Sequence, residues 1–251
     1  MKVSLARRAV AEFFGTAFLV AAVVASGVTG ERLSAGNVAL ALLANTVATG
    51  AALVALIFAF GQISGAHLNP VVTVVDAFES GLPWGETPYY VIGQTFGAIS
   101  GAAMAHVMFE LPLISLSHHA RRGGAQVFSE FVATFGLVSV IWGCSRLRSD
   151  SVPFAVGAYI TAAYWFTAST SFANPAVTIA RCLSDTFAGI RPDDVPWFVA
   201  AQFLGGAAAT FLFRWLIPDL KDRGTRSSSR IVPVQRPRRT VSHLAGCGRA
   251  R

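Results

Sequence analysis

Two Asn-Pro motifs, one in each half of the chain, constrain the fold more than any other feature. Residues 64–73 read Ser-Gly-Ala-His-Leu-Asn-Pro-Val-Val-Thr, and residues 171–178 read Ser-Phe-Ala-Asn-Pro-Ala-Val-Thr. Asn is a favoured helix N-cap, because its side chain accepts a hydrogen bond from a free helix N–H, and Pro suits the first helical position. Each motif therefore predicts a loop that becomes a short helix. One motif alone would be typical of a capped helix in a soluble core, but two with the same continuation, set between long apolar segments, argue against that reading.

The composition indicates a membrane protein that crosses the bilayer several times. Of the 251 residues, 53% are hydrophobic and 13% are charged, and the mean hydropathy is +0.55. Soluble domains carry roughly 25% charged residues. The three cysteines are far apart in the sequence and do not have the spacing of a metal site or a disulfide framework. We expect no cofactor and no bound metal.

Apolar segments predict six membrane spans in an inverted repeat. Their approximate bounds are 9–26, 37–60, 89–109, 125–143, 152–168 and 195–217, with a short external loop at 29–35. An Asn-Pro motif and its half-helix follow the second and fifth spans. Each copy thus has three spans, so the second copy must lie upside down relative to the first. The fold class expected is an all-α membrane protein, with a channel domain at 1–217 made of repeat one (1–109) and repeat two (110–217).

Basic residues predict the orientation. Nine of the 20 Lys and Arg residues lie in 218–251, a segment expected to be a disordered cytoplasmic tail drawn to anionic lipid. Nucleic-acid binding by this tail is the less favoured alternative. The basic N-terminus and the loop with Arg146 and Arg148 indicate the same side of the membrane as the basic tail, so both termini are expected to be cytoplasmic.

The two motif loops predict a central pore. Non-helical backbone at membrane depth is tolerated only where it is buried in protein or lines a water-filled path. Asn69 and Asn174 can each offer a side-chain N–H to a passing oxygen, and the two half-helix N-termini at one spot would repel cations. The expected acceptors are backbone carbonyls of Gly65, Ala66, His67, Phe172 and Ala173. Such a path suits small neutral solutes.

Glu12 and Glu130 are expected to be scaffold residues. Each lies in the first turns of the first span of its repeat, and a carboxylate inside a membrane span needs hydrogen-bond partners within the protein. We expect each to accept bonds from free N–H groups of a motif loop. His67 is expected to have a similar structural role inside its own loop.

The sequence resembles the aquaporin family, also called major intrinsic proteins. The residues that carry the resemblance are Ala11-Glu12-Phe13-Phe14-Gly15-Thr16, Ser64-Gly65-Ala66-His67-Leu68-Asn69-Pro70 and Asn174-Pro175-Ala176. The resemblance covers about 7–217. It implies a passive six-span channel rather than an enzyme, a homotetramer with one pore per subunit, and, for bacterial members, the inner membrane.

This chain departs from the family pattern at two motif positions. The first motif has Val71 where the family usually has Ala, which is expected to alter packing near the midplane. Val177 stands where the family usually has the Arg of the narrow selectivity filter, so the charge and bulk of a guanidinium are absent there.

The resemblance also places the other filter positions at Thr49 and Ser171. The fifth-span filter position is ambiguous: the count from Gly157 gives Tyr164, and the count back from Asn174 gives Ala162. Tyr164 is preferred, because the shortening is easier to place in the loop. The filter expected is Thr49, Tyr164, Ser171 and Val177.

Arg181 lies one helical turn beyond Val177. We hypothesise that it supplies positive charge to the outer mouth in place of the missing filter Arg. The alternative is an ion pair between Arg181 and Asp185 at the membrane interface.

The resemblance extends to bacterial members that lack the filter Arg and are associated with arsenic resistance. It implies conduction of arsenite, As(OH)₃, and related metalloid hydroxides, or of glycerol, with a role in arsenic detoxification. The close alternative is a general glycerol, urea or water facilitator. An inverted-repeat secondary transporter and an intramembrane enzyme that uses Ser171 and His67 are remote alternatives.

Overall fold

A computed structural model describes residues 3–217, and its regular elements are all helical. They are α1 (Leu5–Leu33), α2 (Val38–Ser64), α3 (Pro70–Phe78), α4 (Thr87–Met108), α5 (Gly124–Leu147), α6 (Val152–Phe166), α7 (Pro175–Arg181) and α8 (Val195–Leu216). Short 3₁₀ turns precede α6 and α8. The tail at 218–251, which the sequence predicts to be disordered and cytoplasmic, lies outside the described residues.

The helix lengths match six spans and two half-helices. Within residues 3–217, five helices (α1, α2, α4, α5 and α8) are long and apolar enough to cross a membrane. The sixth, α6, has 15 residues and spans about 22 Å at the usual rise per residue. It continues directly into the second motif loop. The prediction of an all-α membrane protein with two half-helices is confirmed.

The first span is longer than predicted, and the expected external loop at 29–35 is mostly helix. α1 runs to Leu33 because Gly27, Val28 and Gly30 are still buried against the protein. Glu31 and Arg32 lie in its exposed last turn, where charged side chains can reach water. The connection to α2 is therefore only a tight turn.

The two halves pack in the same pattern. α1 packs against α2 and α4, α5 packs against α6 and α8, and the halves meet through α2 and α6. Close backbone approach makes this possible, because a Cβ added at Gly97 of α4 would overlap the carbonyl oxygen of Phe13 in α1. The equivalent contact in the second half joins Gly205 of α8 to the carbonyl oxygen of Phe131 in α5. Small residues at such crossings are typical of membrane helix packing.

Candidate functional site

The structure brings the two Asn-Pro motifs together. Asn69 caps α3 by accepting a hydrogen bond from the N–H of Val71 (2.9 Å), and Asn174 caps α7 by accepting one from the N–H of Ala176 (3.1 Å). The Nδ2 of Asn69 donates to the carbonyl of Ala173 (2.7 Å). The loops that precede α3 and α7 therefore touch at their ends.

The sequence predicts that the two half-helix N-termini meet, but it does not predict the reciprocal hydrogen bonds between them. The Nδ2 of Asn174 donates to the carbonyl of Leu68 (2.7 Å). Each side-chain amide has two N–H groups, so one is committed to the opposite loop and one remains for a solute. The sequence analysis expected the side-chain amides of both asparagines to be free for a solute. In the structure, the carbonyls of Leu68 and Ala173 accept one hydrogen bond from each amide and so hold the two loops together.

Both motif loops contain residues in the left-handed backbone region. Ala66 and Leu68 have φ of 48° and 50°, and Ser171 and Ala173 have φ of 49° and 48°. For residues other than Gly this conformation costs about 1–3 kcal/mol each. Alternation of left-handed and ordinary residues turns neighbouring peptide N–H groups to a common side, where a single acceptor can bind them.

Glu12 is that acceptor in the first loop. It is completely buried, and it accepts bonds from the N–H groups of His67 (3.0 Å) and Leu68 (2.7 Å). Its carboxylate also accepts bonds from Ser64 Oγ (2.6 Å) and Gln94 Nε2 (2.7 Å). The strained loop is thus tied to the first span.

Glu130 does the same in the second loop. It is also completely buried and accepts bonds from the N–H groups of Phe172 (2.8 Å) and Ala173 (2.9 Å). Gln202 Nε2 donates to it at 2.6 Å and to Thr178 Oγ1 at 2.9 Å. In the first half, Gln94 bridges Glu12 and Thr73 in the same way.

The two glutamines were missed by the sequence reasoning. Gln94 and Gln202 are both completely buried in the third span of their repeats. The two repeats do share a pattern in the sequence at this point, because each glutamine is followed three residues later by the glycine of a helix crossing, Gly97 or Gly205. A polar side chain at the same place in both copies of an apolar span indicates a shared buried partner.

His67 contacts residues of its own half of the molecule. Its Nδ1 lies 3.1 Å from Thr73 Oγ1 and its Nε2 lies 3.5 Å from Asp76 Oδ2. The ring packs beside Tyr90, with 5.3 Å between ring centroids. Its partners agree with the structural role expected for it.

A narrow cavity of about 70 Å³ runs past the contact between the loops. Part of its lining consists of loop residues and the two capping asparagines: Gly65, Ala66, His67, Leu68, Asn69, Ser171, Phe172, Ala173 and Asn174. The rest of the lining is mostly apolar and includes Leu53, Ile57, Leu137, Ile141 and Ile160. All five residues expected to supply pore carbonyls therefore lie against the cavity.

The remaining motif residues lie behind the cavity wall. Val71 is fully buried, packed with Val138, Trp142 and Ala209, so its effect is on packing between α3, α5 and α8. Pro70, Pro175 and Ala176 are buried first-turn residues of the half-helices.

The four expected filter residues, Thr49, Tyr164, Ser171 and Val177, all line the cavity, and each is at most 5% exposed. We call the part of the cavity that they line the filter end. Tyr164 Oη donates to Thr49 Oγ1 there (3.4 Å). Ala162, the other candidate for the fifth-span position, is exposed on the outside of the helix.

Arg181 also lines the filter end and is 2% exposed. The alternative of an Arg181–Asp185 ion pair is wrong, because the carboxylate of Asp185 is bound to His118. It accepts a hydrogen bond from the backbone N–H of His118 (3.0 Å) and lies 3.1 Å from Nδ1 of the same residue. These two contacts lower the pKa of Asp185. The guanidinium of Arg181 instead turns inward, where its Nε donates to the carbonyl of Ala188.

Sequence and structure comparisons identify the family. The family model described as Major intrinsic protein matches residues 1–164. Aquaglyceroporin AqpS of Rhizobium meliloti is 52% identical over 229 residues, which cover 91% of this chain and 98% of that protein. A probable glycerol uptake facilitator protein of Thermotoga maritima is 26% identical over 82% of this chain and 97% of its own length.

Among solved structures, the aquaglyceroporin from Plasmodium falciparum matches with a TM-score of 0.66 at 20% identity. The match covers 87% of this chain and 99% of that one, and at this identity it is a likeness of fold. Together with the match to the family model, it assigns the all-helical fold of this chain to a known architecture. The chain belongs to the major intrinsic protein family of membrane channels.

Proposed function

We propose that this chain is a passive channel for small neutral solutes with several hydroxyl groups, foremost arsenite as As(OH)₃, related metalloid hydroxides and glycerol. The observation that carries the proposal is the composition of the filter end. Three hydroxyl side chains, Thr49, Tyr164 and Ser171, meet the apolar Val177 where the family usually has a guanidinium. This removes bulk from the filter end and leaves hydroxyl groups that can exchange hydrogen bonds with a solute.

The mixed lining of the cavity suits a polyol. Loop carbonyls and the free N–H groups of Asn69 and Asn174 can replace the hydrogen bonds that a solute gives up to enter. The apolar part of the lining, which includes Leu53 and Ile160, can face the carbon or arsenic side of the same molecule. As(OH)₃ resembles glycerol in size and in hydroxyl pattern, so one path serves both.

The lining argues against ion conduction. Among the described residues that line the cavity, only His67, Tyr164 and Arg181 carry titratable groups, and none of the lining side chains is a carboxylate. A cation would lose its hydration shell without gaining a counter-charge. This also disfavours a secondary transporter, which normally couples transport to intramembrane ionisable residues.

The biological role proposed is arsenite exit after arsenate has been reduced inside the cell. A general facilitator for glycerol, urea or water is the second candidate. It is favoured by the names of the relatives, an aquaglyceroporin and a probable glycerol uptake facilitator.

Flux measurements on the purified full chain in liposomes test the proposal. Glycerol permeability is measured from swelling after an osmotic step, and arsenite uptake is measured by mass spectrometry, both against protein-free liposomes. We expect both fluxes to rise, without saturation and independently of any ion gradient. Water permeation without glycerol or arsenite flux would contradict the proposal, and flux that follows an ion gradient would favour a transporter.

We also propose a homotetramer in a bacterial inner membrane, with both termini in the cytoplasm. Support for the orientation comes from Arg146 and Arg148, which lie on the side of the membrane where α5 ends and α6 begins. The filter end then faces outward. Native mass spectrometry in detergent tests the tetramer, and reporter fusions at the C-terminus test the orientation.

A further inference from the structure

Two arginine side chains contact the ring of Phe172 at the filter end. The guanidinium carbon of Arg181, the last residue of α7, lies 3.3 Å from the ring centroid. The guanidinium carbon of Arg121, from the loop between α4 and α5, lies 4.9 Å from it. Phe172 itself is 4% exposed and is held by Glu130 through its N–H. Two positive charges are thus fixed beside the last loop residues before Asn174.

Arg121 ties three segments together. Its Nε donates to the carbonyl of Gly189 (2.9 Å), its Nη1 donates to the carbonyl of Ser169 (3.0 Å), and its backbone N–H donates to Asp194 (2.8 Å). Within residues 3–217, its guanidinium makes no ion pair. Burial lowers the pKa of Arg121 to about 10, so the side chain is still protonated at pH 7. Its position fixes the segment that carries Ser171 and Phe172.

Arg181 lines the cavity and has donor groups without a hydrogen-bond partner among the described residues. Its Nε is bonded to the carbonyl of Ala188, while Nη1 and Nη2 have no hydrogen-bond partner among the described residues. The nearby carboxylates are engaged elsewhere, Asp185 with His118 and Asp194 with Arg191 at 2.9 Å. Helical side chains lean toward the N-terminus of their helix, which for α7 is the direction of Val177 and Asn174. Arg181 and Val177 also line the same cavity, so the guanidinium shares that space with the position that Val177 occupies.

A second polar group is also unpaired at this point. Ser171 is 2% exposed and lines the cavity, and its Oγ has no partner within the described part of the chain. A buried hydroxyl normally has a hydrogen-bond partner. Ser171 Oγ and the free nitrogens of Arg181 thus lie on the same cavity as unpaired groups that a passing solute can bind.

We propose that Arg181 is the charge-selective residue of this pore, acting from one helical turn beyond the usual filter position, and that Arg121 positions it through Phe172. The inference rests on the channel function proposed above. The guanidinium repels protons and metal cations at the outer mouth and donates hydrogen bonds to hydroxyl oxygens of neutral solutes. Because it lies further out than Val177, it provides the charge without filling the filter, so larger neutral solutes still pass.

Proton and potassium leak in liposomes, measured beside glycerol permeability, tests this role. The variants are Arg181→Gln and Arg181→Met, which remove the charge, and Arg181→Lys, which keeps it. We expect the ratio of cation leak to glycerol permeability to rise about tenfold or more without the charge, since a unit charge a few Å from the path dominates the field there. Arg181→Lys should stay within about threefold of the wild type, because an ammonium keeps the charge.

A matched control and a rescue make the test specific. Arg122 is the neighbour of Arg121 but its side chain is 69% exposed, so Arg122→Gln should leave the ratio unchanged. Arg121→Gln should raise it, since Phe172 and Arg181 lose their support, whereas simple loss of fold would lower both fluxes. The double variant Val177→Arg with Arg181→Gln should restore a low proton and potassium leak, because it returns a guanidinium to the pore.

The two proposals fail in different measurements. A normal glycerol flux with an unchanged leak ratio in both Arg181→Gln and Arg181→Met would overturn the role of Arg181 and leave the channel function standing. A wild-type chain that passes neither glycerol nor arsenite would overturn the channel function, and this inference with it.

Discussion

Val177 and Arg181 lie on the same short helix, α7, and differ in what each contributes to solute selection in the proposed pore. Val177 is 5% exposed on the cavity wall and its side chain supplies no donor. Arg181 lies one turn beyond it, and its Nη1 and Nη2 are unpaired among the described residues. In the proposed pore, size selection belongs to the first position and charge selection to the second. The two properties can therefore be changed one at a time.

A larger side chain in place of Val177 should narrow the pore. For Val177→Arg we expect glycerol and arsenite permeability to fall about tenfold or more, the usual discrimination when a fitted site loses the volume of a methylene group or more. Water permeability should fall less. Stopped-flow light scattering measures both, with Val177→Thr, whose side chain has nearly the same volume, as a control that should behave nearly as the wild type. An equal fall for water and glycerol would contradict size selection at this position.

The two scaffold carboxylates should be equally important to stability. Glu12→Gln and Glu130→Gln each replace an acceptor oxygen with an amide donor that faces loop N–H groups. An orphaned buried donor costs about 1–3 kcal/mol, so we expect a clear fall in the thermal unfolding midpoint in detergent. Glu31→Gln changes an exposed residue and should have no effect. A midpoint unchanged in either scaffold variant would contradict the role of that carboxylate.

At the scale of single elements, each half-helix depends on a loop that is unfavourable by itself. The left-handed residues Ala66, Leu68, Ser171 and Ala173 persist because buried glutamates bind the N–H groups that those turns expose. The long helices come close enough to enclose the loops only where glycine replaces a side chain. The crossing of α1 and α4 is the clearest case.

A single methyl group should disturb that crossing. A Cβ at Gly97 would overlap the carbonyl of Phe13, whereas one at Gly85 would meet no atom within 4 Å. Overpacking of this kind costs about 1–3 kcal/mol. We therefore expect Gly97→Ala to lower the unfolding midpoint and Gly85→Ala to leave it unchanged. Equal midpoints for the two variants would show that the crossing can relax.

At the scale of the whole molecule, the two repeats also contact each other away from the pore, through ion pairs. Glu79, which follows α3, lies 3.3 Å from Arg146 Nη2 of α5 and 2.6 Å from Arg214 Nε of α8. Its side chain is 11% exposed. One carboxylate of the first repeat thus holds the ends of two helices of the second.

Loss of this contact should loosen the assembly of the two halves. For Glu79→Gln we expect a destabilisation of about 1–3 kcal/mol, between the values for exposed and for buried ion pairs. Asp193→Asn is the control, since that carboxylate is 74% exposed and lies 3.6 Å from Arg191. Thermal unfolding at low and high salt measures the difference. A Glu79→Gln protein as stable as the control would contradict a role for Glu79 in joining the repeats.

Much of the fold could be predicted from the sequence, because its signals are local. Six apolar segments and the capping pair Asn-Pro each depend on a few adjacent residues, and the doubled motif reveals the repeat. The end of α1 could not be predicted, because Gly27, Val28 and Gly30 remain helical through packing against neighbours. Gln94 and Gln202 were missed for a similar reason, since their partners are distant in the sequence.

The sequence by itself determined the spans, the half-helices, the capping asparagines and the buried carboxylates, since hydropathy and capping act within a few residues. Only the tertiary structure decided which groups meet. It paired Asn69 with Ala173 and Asn174 with Leu68, placed Tyr164 rather than Ala162 on the cavity, and turned Arg181 away from Asp185. The physical reason is that a hydrogen bond or a cation–π contact depends on where two remote segments lie in space, and the spacing of residues along the chain does not specify that position.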